Sequence, residues 1–250
     1  MTQPVVRELV HVMGTVITID VFPIEVTERP DFTAARNVLE RADEAFSTWR
    51  PDSPVSRMRR GEITAADAPP EVSAVVAACT IARELSGGWF DPWAMPGGFD
   101  PTGYVKGWAA QHALAELAGL PIAGALVNAA GDIASLGTQP SGAPFRIGIA
   151  DPADPRRLAE IVELTACIAT SGAYERGSHL IDPRSGKPAA RVASASVVGP
   201  DLGLADALAT AVAVAGADGL AFIEPIADYE ALVIGHDGRR QSTSHFPIAS

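Results

Sequence analysis

The sequence predicts an α+β fold with a mixed, largely antiparallel sheet and packed helices, and three observations carry that expectation. Hydrophobic residues make up 47% of the 250 and charged residues 20%, so the chain can bury a sizeable core and lacks the composition of a disordered one. Segments of period-two alternation occur both in runs and between helices, so strict strand–helix–strand alternation is not met. Other segments carry apolar residues at threes and fours, with turn-forming residues at their ends. The length fits one large domain or two small, interlocked ones.

Along the chain, residues 5–11 and 15–22 read as two strands that turn at Met13-Gly14-Thr15. Val16, Thr18 and Asp20 fall on one side of the second strand, and Ile17, Ile19 and Val21 on the other. Phe32, Ala35, Leu39, Ala42 and Phe46 mark a helix with Asp31 as its N-cap. A second helix follows Pro69 and Pro70, carries Val72, Val75, Val76, Cys79, Ala82 and Leu85 on its apolar side, and stops at Gly87 and Gly88. A third is expected over 104–117. Residues 124–130 read as a strand ending in a turn over 131–137, and 145–152, 161–172 and 193–199 as further strands. Residues 203–216 read as a helix that is apolar nearly all round, and 229–238 as a last strand and turn. The turn-rich stretch 87–103 is the conspicuous irregular region, and long irregular loops in compact domains tend to be functional.

Charge and cysteine usage narrow the function classes. A formal net charge of -11 repels nucleic acid and anionic lipid at long range, which argues against a nucleic-acid partner. It leaves room for a local basic pocket or for carboxylates around a divalent cation. Cys79 and Cys167 sit in apolar segments outside any CxxC pair, which favours two buried thiols in a reducing compartment over a disulfide between them, both readings being open from sequence. The first residues lack the basic start and apolar run of a secretion signal, and no stretch has the length and apolarity of a membrane span. The expectation is a cytoplasmic protein without a membrane anchor.

Several constellations carry chemistry. Asp206 and Thr210 lie four apart in a helical segment, which stacks a carboxylate and a hydroxyl, both hard oxygen donors suited to Mg²⁺, on one face. The same pair also fits an Asp facing the helix dipole and a Thr bonding back to a carbonyl, although a buried Asp needs a partner. Lys106 lies among Gly97, Gly98, Gly103 and Gly107 near a helix start, a setting that suits a phosphate as well as plain solvent. Trp49, Trp89, Phe90, Trp93 and Trp108 flank these loops, where flat side chains serve either as core or as a stack for a heteroaromatic ring. Asp91 and Asp100 each precede a proline, the usual place of a turn-starting Asp.

Residues 166–188 bring Thr170, Ser171, Tyr174, Arg176, His179 and Asp182 close together in sequence, with glycines among them. His179 is the best general-base candidate, with Asp182 three residues on. A Ser171-His179-Asp182 hydrolase triad is disfavoured, because Ser171 lacks a GxSxG elbow. GxGxxG, the P-loop pattern and zinc spacing are absent, which argues against a dinucleotide fold, a P-loop NTPase and a structural zinc site. Together the residues suggest a cleft for an anionic, aromatic, phosphorylated ligand with a hard cation and a histidine nearby.

The stretch TSGAYERGSHLIDPRSGKP resembles the TSG…sHiiDPrTG pattern of the ApbE-type FAD:protein FMN transferases. MGT, FSTWRPDSPVSR, GGWFDP, FDPTGYVKGWA, LVNAAGDI, IGIADP and ADALAT follow that family's order across residues 13–210. The resemblance implies a single domain over 1–250 that binds FAD with Mg²⁺, cleaves its diphosphate and transfers FMN to a Thr or Ser hydroxyl of a target protein, releasing AMP. By position it implies FAD contacts at Met13, Trp49, Trp89, Phe90, Asp91, Asp100, Lys106, Ser171 and Ile181. It implies metal ligation through Asp206 and Thr210, with Gly103 and Ala209 beside the metal or bound to it through backbone, and a reacting-phosphate role for His179. Pro54, Arg59, Ala130 and Trp93 depart from the family's usual residues. Some relatives hydrolyse FAD to FMN and AMP. Transfer, hydrolysis and non-catalytic FAD binding are therefore the three outcomes that remain open from sequence.

Overall fold

The structure is a computed structural model that describes residues 5–25, 29–172 and 180–249. Its main sheet has eight strands in the order β1 (Val6–Val12), β2 (Thr15–Pro23), β3 (Ile122–Ala129), β4 (Asp132–Gly137), β7 (Cys167–Gly172), β10 (Ser194–Gly199), β11 (Glu230–Ile234) and β12 (Arg240–Ser242). Every pairing among the described residues is antiparallel. Two hairpins stand apart from it: β5 (Phe145–Asp151) with β6 (Asp154–Leu164), and β8 (Ile181–Asp182) with β9 (Lys187–Pro188). The helices are α1 (Thr33–Phe46), α2 (Pro54–Arg59), α3 (Pro70–Leu85), α4 (Thr102–Ala115), α5 (Leu202–Ala215) and the single turn α6 (Leu220–Ile223). The expected α+β class with a largely antiparallel sheet is what the chain forms.

The period-two pattern sorts the sheet into two cores. Ile17, Ile19 and Val21 of β2, Ala169 of β7, Ala195 and Val197 of β10, and Ala231 and Val233 of β11 face the helices. Ile168, Val198, Leu232 and Ile234 point the other way, onto Phe145, Ile149, Val162 and Phe246, so the β5–β6 hairpin roofs the opposite face. Helix α5 is buried nearly all round, as its composition predicts, and lies between α4 and strands β7 and β10.

Three local readings are corrected. The stretch 131–137 is a strand, not a turn: Ala129 pairs with Asp132, so the turn is only Ala130-Gly131, both with positive φ (53° and 103°). Residues 161–172 break at Thr165-Ala166 into the end of β6 and the whole of β7, which belong to different sheets. Asp31 lies one residue before the N-cap position, held by Phe32, and accepts the Thr33 N–H at 2.8 Å. No described helix is long and apolar enough to cross a membrane.

Glycine sets the closest helix contact. A Cβ on Gly107 of α4 would lie 2.4 Å from the Leu202 carbonyl oxygen, and one on Gly203 of α5 would lie 2.8 Å from the Tyr104 ring. Gly107→Ala therefore has to push α5 off α4. Overpacking of this kind costs about 1–3 kcal/mol, against a helix-propensity gain of about 1 kcal/mol. A lower melting temperature in a thermal scan is the expected result, with a larger loss for Gly107→Val.

Cys79 and Cys167 are both buried and unbridged. Burial raises each thiol from an ordinary 9.0 to about 12, and the Cys167 thiol donates to the Gly199 carbonyl at 2.7 Å. A pKa raised on folding means that the native state favours the neutral thiol. That contribution is complete below pH 9 and is lost as pH climbs towards 12. Native protein at pH 8 should therefore leave a disulfide-exchange dye unreacted, with two thiols titrating once denaturant is added.

Candidate functional site

The site is built where α4, α5 and the end of β7 meet. Asp201 caps α5, its side chain accepting the Leu204 N–H at 2.8 Å. The N-cap is therefore Asp201 and not Asp206. Asp206 lies one turn in, 3% exposed, and Thr210 stands one turn further along the same face. Across from Thr210, the Ser171 hydroxyl lies 3.2 Å from the Thr210 hydroxyl. A Cβ on Gly103 of α4 would sit 3.5 Å from Thr210 Oγ1 and 3.3 Å from Phe90 Cε2. Gly103, Ser171, Thr210 and Phe90 are therefore brought together from four separate parts of the chain. Ala209 is fully buried on α5.

Beside this group Lys106 makes an ion pair with Asp132, a residue that sequence reasoning left unassigned. Asp132 is fully buried, and its second oxygen accepts the Thr170 N–H at 3.0 Å. The cause lies in the sheet: β4 and β7 pair only at Ile133–Ile168 and Ala134–Cys167, and beyond that the Asp132 carboxylate satisfies the next amide of β7. Lys106 is thereby anchored at the floor of the same corner, since Thr170 precedes Ser171. The signal in the sequence was an Asp at the head of an apolar strand, where a buried carboxylate requires a cation.

The other expected contacts come from the β1–β2 turn, the segments after α1 and α3, and β8. Met13 occupies the β1–β2 turn at φ 50°, its N–H donating to Asp43 at 2.9 Å. Asp43 also pairs with Arg50 at 2.9 Å, which ties that turn to the loop carrying Trp49. Trp49 is 94% exposed, so no described residue packs over its rings. An open hollow of about 430 Å³ lies here, lined by His11, Met13, Thr15 and Asp43. Asp91 pairs with Arg83 at 2.7 Å and accepts the Trp93 N–H at 3.0 Å. Asp100 accepts the Thr102 N–H at 3.1 Å and faces Arg59 at 3.7 Å, so both aspartates also serve turns. Trp108 packs edge-on against Phe46 at 5.4 Å and belongs to the core, whereas Trp93 packs on Phe99 and keeps 40% of its surface exposed. Ile181 lies half-buried on β8, and Asp182 beside it is buried. His179, with Tyr174 and Arg176, lies outside the described residues.

The donor set fits a hard divalent cation. One buried carboxylate, two hydroxyls and nearby backbone are oxygen ligands of the kind Mg²⁺ takes, and that ion usually binds one or two carboxylates and completes its shell with water and substrate phosphate. No cluster of three or more His, Cys, Asp or Glu side chains able to hold a metal occurs among the described residues. A second hollow of about 230 Å³, between Cys167, Gly199 and His245, lies at the opposite end of β7 from Ser171.

Comparison with known proteins identifies the family. The model of the ApbE family matches residues 13–98 and 97–233. The FAD:protein FMN transferase of Rhodobacter capsulatus is 37% identical over 126 residues, covering 47% of this chain and 24% of that protein. That of Vibrio cholerae serotype O1 is 36% identical over 137 residues, covering 50% and 41%. The matched stretches thus span less than half the length of these curated relatives. Among solved structures, the flavin transferase ApbE from Vibrio cholerae superposes with a TM-score of 0.83 at 24% identity, covering 97% of this chain and 99% of that one. The apo flavinyl transferase ApbE of Pseudomonas stutzeri gives 0.81 at 25% identity, covering 98% and 96%. With most of its length accounted for by the family's own model, the chain belongs to the ApbE family.

Proposed function

We propose that the protein is a Mg²⁺-dependent FAD:protein FMN transferase, acting as one domain on FAD and on a Thr or Ser hydroxyl of an acceptor protein. The observation that carries this reading is the Ser171–Thr210 hydroxyl pair beside Gly103, one helical turn from buried Asp206. The activity printed for its relatives supports it. In the proposed reaction the acceptor oxygen bonds to the FMN-side phosphorus of FAD. The bond from that phosphorus to the bridging oxygen breaks, and AMP leaves with the electron pair. The hydroxyl proton passes to a base, for which His179 is our candidate.

Asp206 and Thr210, with Ser171 and the backbone of Gly103 and Ala209, would hold the cation. When bound, it supplies charge to offset the phosphoryl oxygens. Lys106, anchored by Asp132, adds a fixed positive charge beside them. Phe90 and Gly103 shape a close approach for the substrate, and Met13, Trp49, Trp89, Asp91, Asp100 and Ile181 are our proposed FAD contacts. This chain's contribution is chiefly placement and electrostatics.

Incubation with FAD and Mg²⁺, with and without a threonine-bearing acceptor, tests the reading. Transfer gives an acceptor that carries flavin fluorescence and one AMP per label. Free FMN and AMP at the same rate without acceptor would replace the transferase by a pyrophosphatase. Intact bound FAD would remove catalysis altogether.

A further inference from the structure

One arginine grips the irregular loop that lies between two groups of proposed FAD contacts. Trp89, Phe90 and Asp91 precede residues 92–99, and Asp100 follows them. The loop closes at its base, where the Asp100 N–H donates to the Pro92 carbonyl at 2.8 Å and Trp93 packs on Phe99 with ring centroids 5.2 Å apart. Its tip has little of its own to hold it. Pro96 and Gly97 are exposed, and Gly97 and Gly98 have φ of 82° and 92°. The Gly98 N–H donates to the Met95 carbonyl at 2.9 Å. Two successive glycines in the left-handed region leave a free chain many alternatives.

Arg59, the last residue of α2, supplies that hold. Its Nη2 donates to the Pro96 carbonyl at 2.7 Å and its Nε to the Gly97 carbonyl at 3.0 Å. The approach is so close that a Cβ on Gly97 would run into Nη2. The third nitrogen, Nη1, stands 3.7 Å from Asp100, against 2.6 Å for Arg29 with Glu8 and 2.7 Å for Arg83 with Asp91. The guanidinium thus gives its short bonds to two loop carbonyls and only its field to the carboxylate. One Asp100 oxygen accepts the Thr102 N–H. The other has no hydrogen bond among the described residues and faces the Arg59 charge. The support is itself fixed. Val55 of α2 is fully buried, and the Ser53 and Ser56 hydroxyls donate to the Ser47 carbonyl just after α1, at 2.5 and 3.1 Å.

A brace on an exposed tip adds little to the core, since the buried residues of the loop, Pro92 and Phe99, lie at its base. What it fixes is the conformation of the loop and the direction of the Asp100 carboxylate. Arg59 and Trp93 are also positions at which the chain departs from the family's usual residues, so the brace does not follow from the family's motifs. We infer that Arg59 is a positioning residue: it holds the 92–99 loop and Asp100 ready before FAD arrives, and so sets the affinity for FAD without taking part in the chemistry at the cation corner. This rests on the proposed use of FAD. The ordering cost is then met in folding and not in binding. A loop that is binding-competent about one-tenth of the time without its brace makes FAD bind about tenfold more weakly.

The test compares the native protein with Arg59→Met, which keeps an apolar stem and loses every donor, and Arg59→Lys, which keeps the charge and cannot span two carbonyls as a fork. FAD binding is measured by calorimetry. AMP release from FAD with Mg²⁺ and a threonine-bearing peptide gives kcat and KM, and hydrogen exchange follows residues 92–100. Arg59→Met should weaken FAD binding and raise KM about tenfold, with kcat at saturating FAD within about twofold of native. Arg59→Lys should recover part of the loss. The loop should exchange faster in the free variant and regain native protection once FAD is bound, a repair that a purely structural role does not produce. Unchanged FAD affinity in Arg59→Met, a fall in kcat that matches the fall in kcat/KM, or faster exchange that FAD leaves in place would each overturn the inference. Native protein that binds no FAD would remove the FAD reading and this inference with it. FAD bound without AMP release would remove the catalytic reading alone, and the affinities and exchange would still decide the role of Arg59.

Discussion

Asp206→Asn is expected to lower cation-dependent AMP release from FAD about 100- to 1,000-fold, the loss typical of removing one preorganised electrostatic group at a phosphoryl or acyl centre. The substitution keeps the volume of a side chain that is 3% exposed, so helix α5 should retain its packing on β7 and β10. It removes the only carboxylate in the proposed oxygen set. A second readout separates ligation from folding. A bound ion stabilises the folded state by about 2.7 kcal/mol at a concentration one hundred times its dissociation constant. Mg²⁺ should therefore raise the melting temperature of the native protein by several degrees and leave that of the variant unmoved. Full turnover in the variant, or an unchanged cation-induced shift, would remove Asp206 from the metal site. Thr210→Val should give the same pattern more weakly, since a neutral hydroxyl holds the ion less firmly than a carboxylate.

Lys106→Met is expected to be the most destabilising single change near the site. It leaves Asp132 fully buried with, among the described residues, only the Thr170 N–H as partner. Breaking a buried ion pair from one side costs about 3–5 kcal/mol. The lower figure applies here, because 20% of the Lys106 side chain remains in contact with water. For a chain of this size that corresponds to a fall of about 6–12 °C in melting temperature. Adding Asp132→Asn should restore much of the stability, because the uncompensated charge goes with it, while FAD affinity stays low for want of the cation. A double-mutant cycle over the two positions measures the coupling directly. Additive effects of the two changes would show that the pair does not act as a unit.

Most of the fold was legible where the signal is local. The alternation in β2, the apolar spacing of α1 and α3, and the glycines that end α3 each depend on residues close in sequence. Misreadings came where local chemistry was shared between two structures. Gly131, Asp132, Ser135 and Gly137 are turn formers by type, but a two-residue turn at Ala130-Gly131 uses up the reversal and leaves the rest extended. Residues 161–172 are continuously strand-like, and only the two separate cores show that the chain changes sheets at Thr165-Ala166. Helix α2 went unread, since six residues hold too few turns for a period to emerge.

The sequence by itself determined the kind of most elements, the i, i+4 pairing of Asp206 with Thr210, and through its ordered motifs the family. Only the tertiary structure decided that Ser171 meets Thr210 from 39 residues away, that Lys106 is anchored by Asp132 across 26, and that Arg184 and Arg191 share Trp89. The physical reason is one of range. A helical period is fixed by backbone geometry between neighbours, whereas these contacts exist only once the sheet register and the glycine-set approach of α4 and α5 have brought distant segments to one corner.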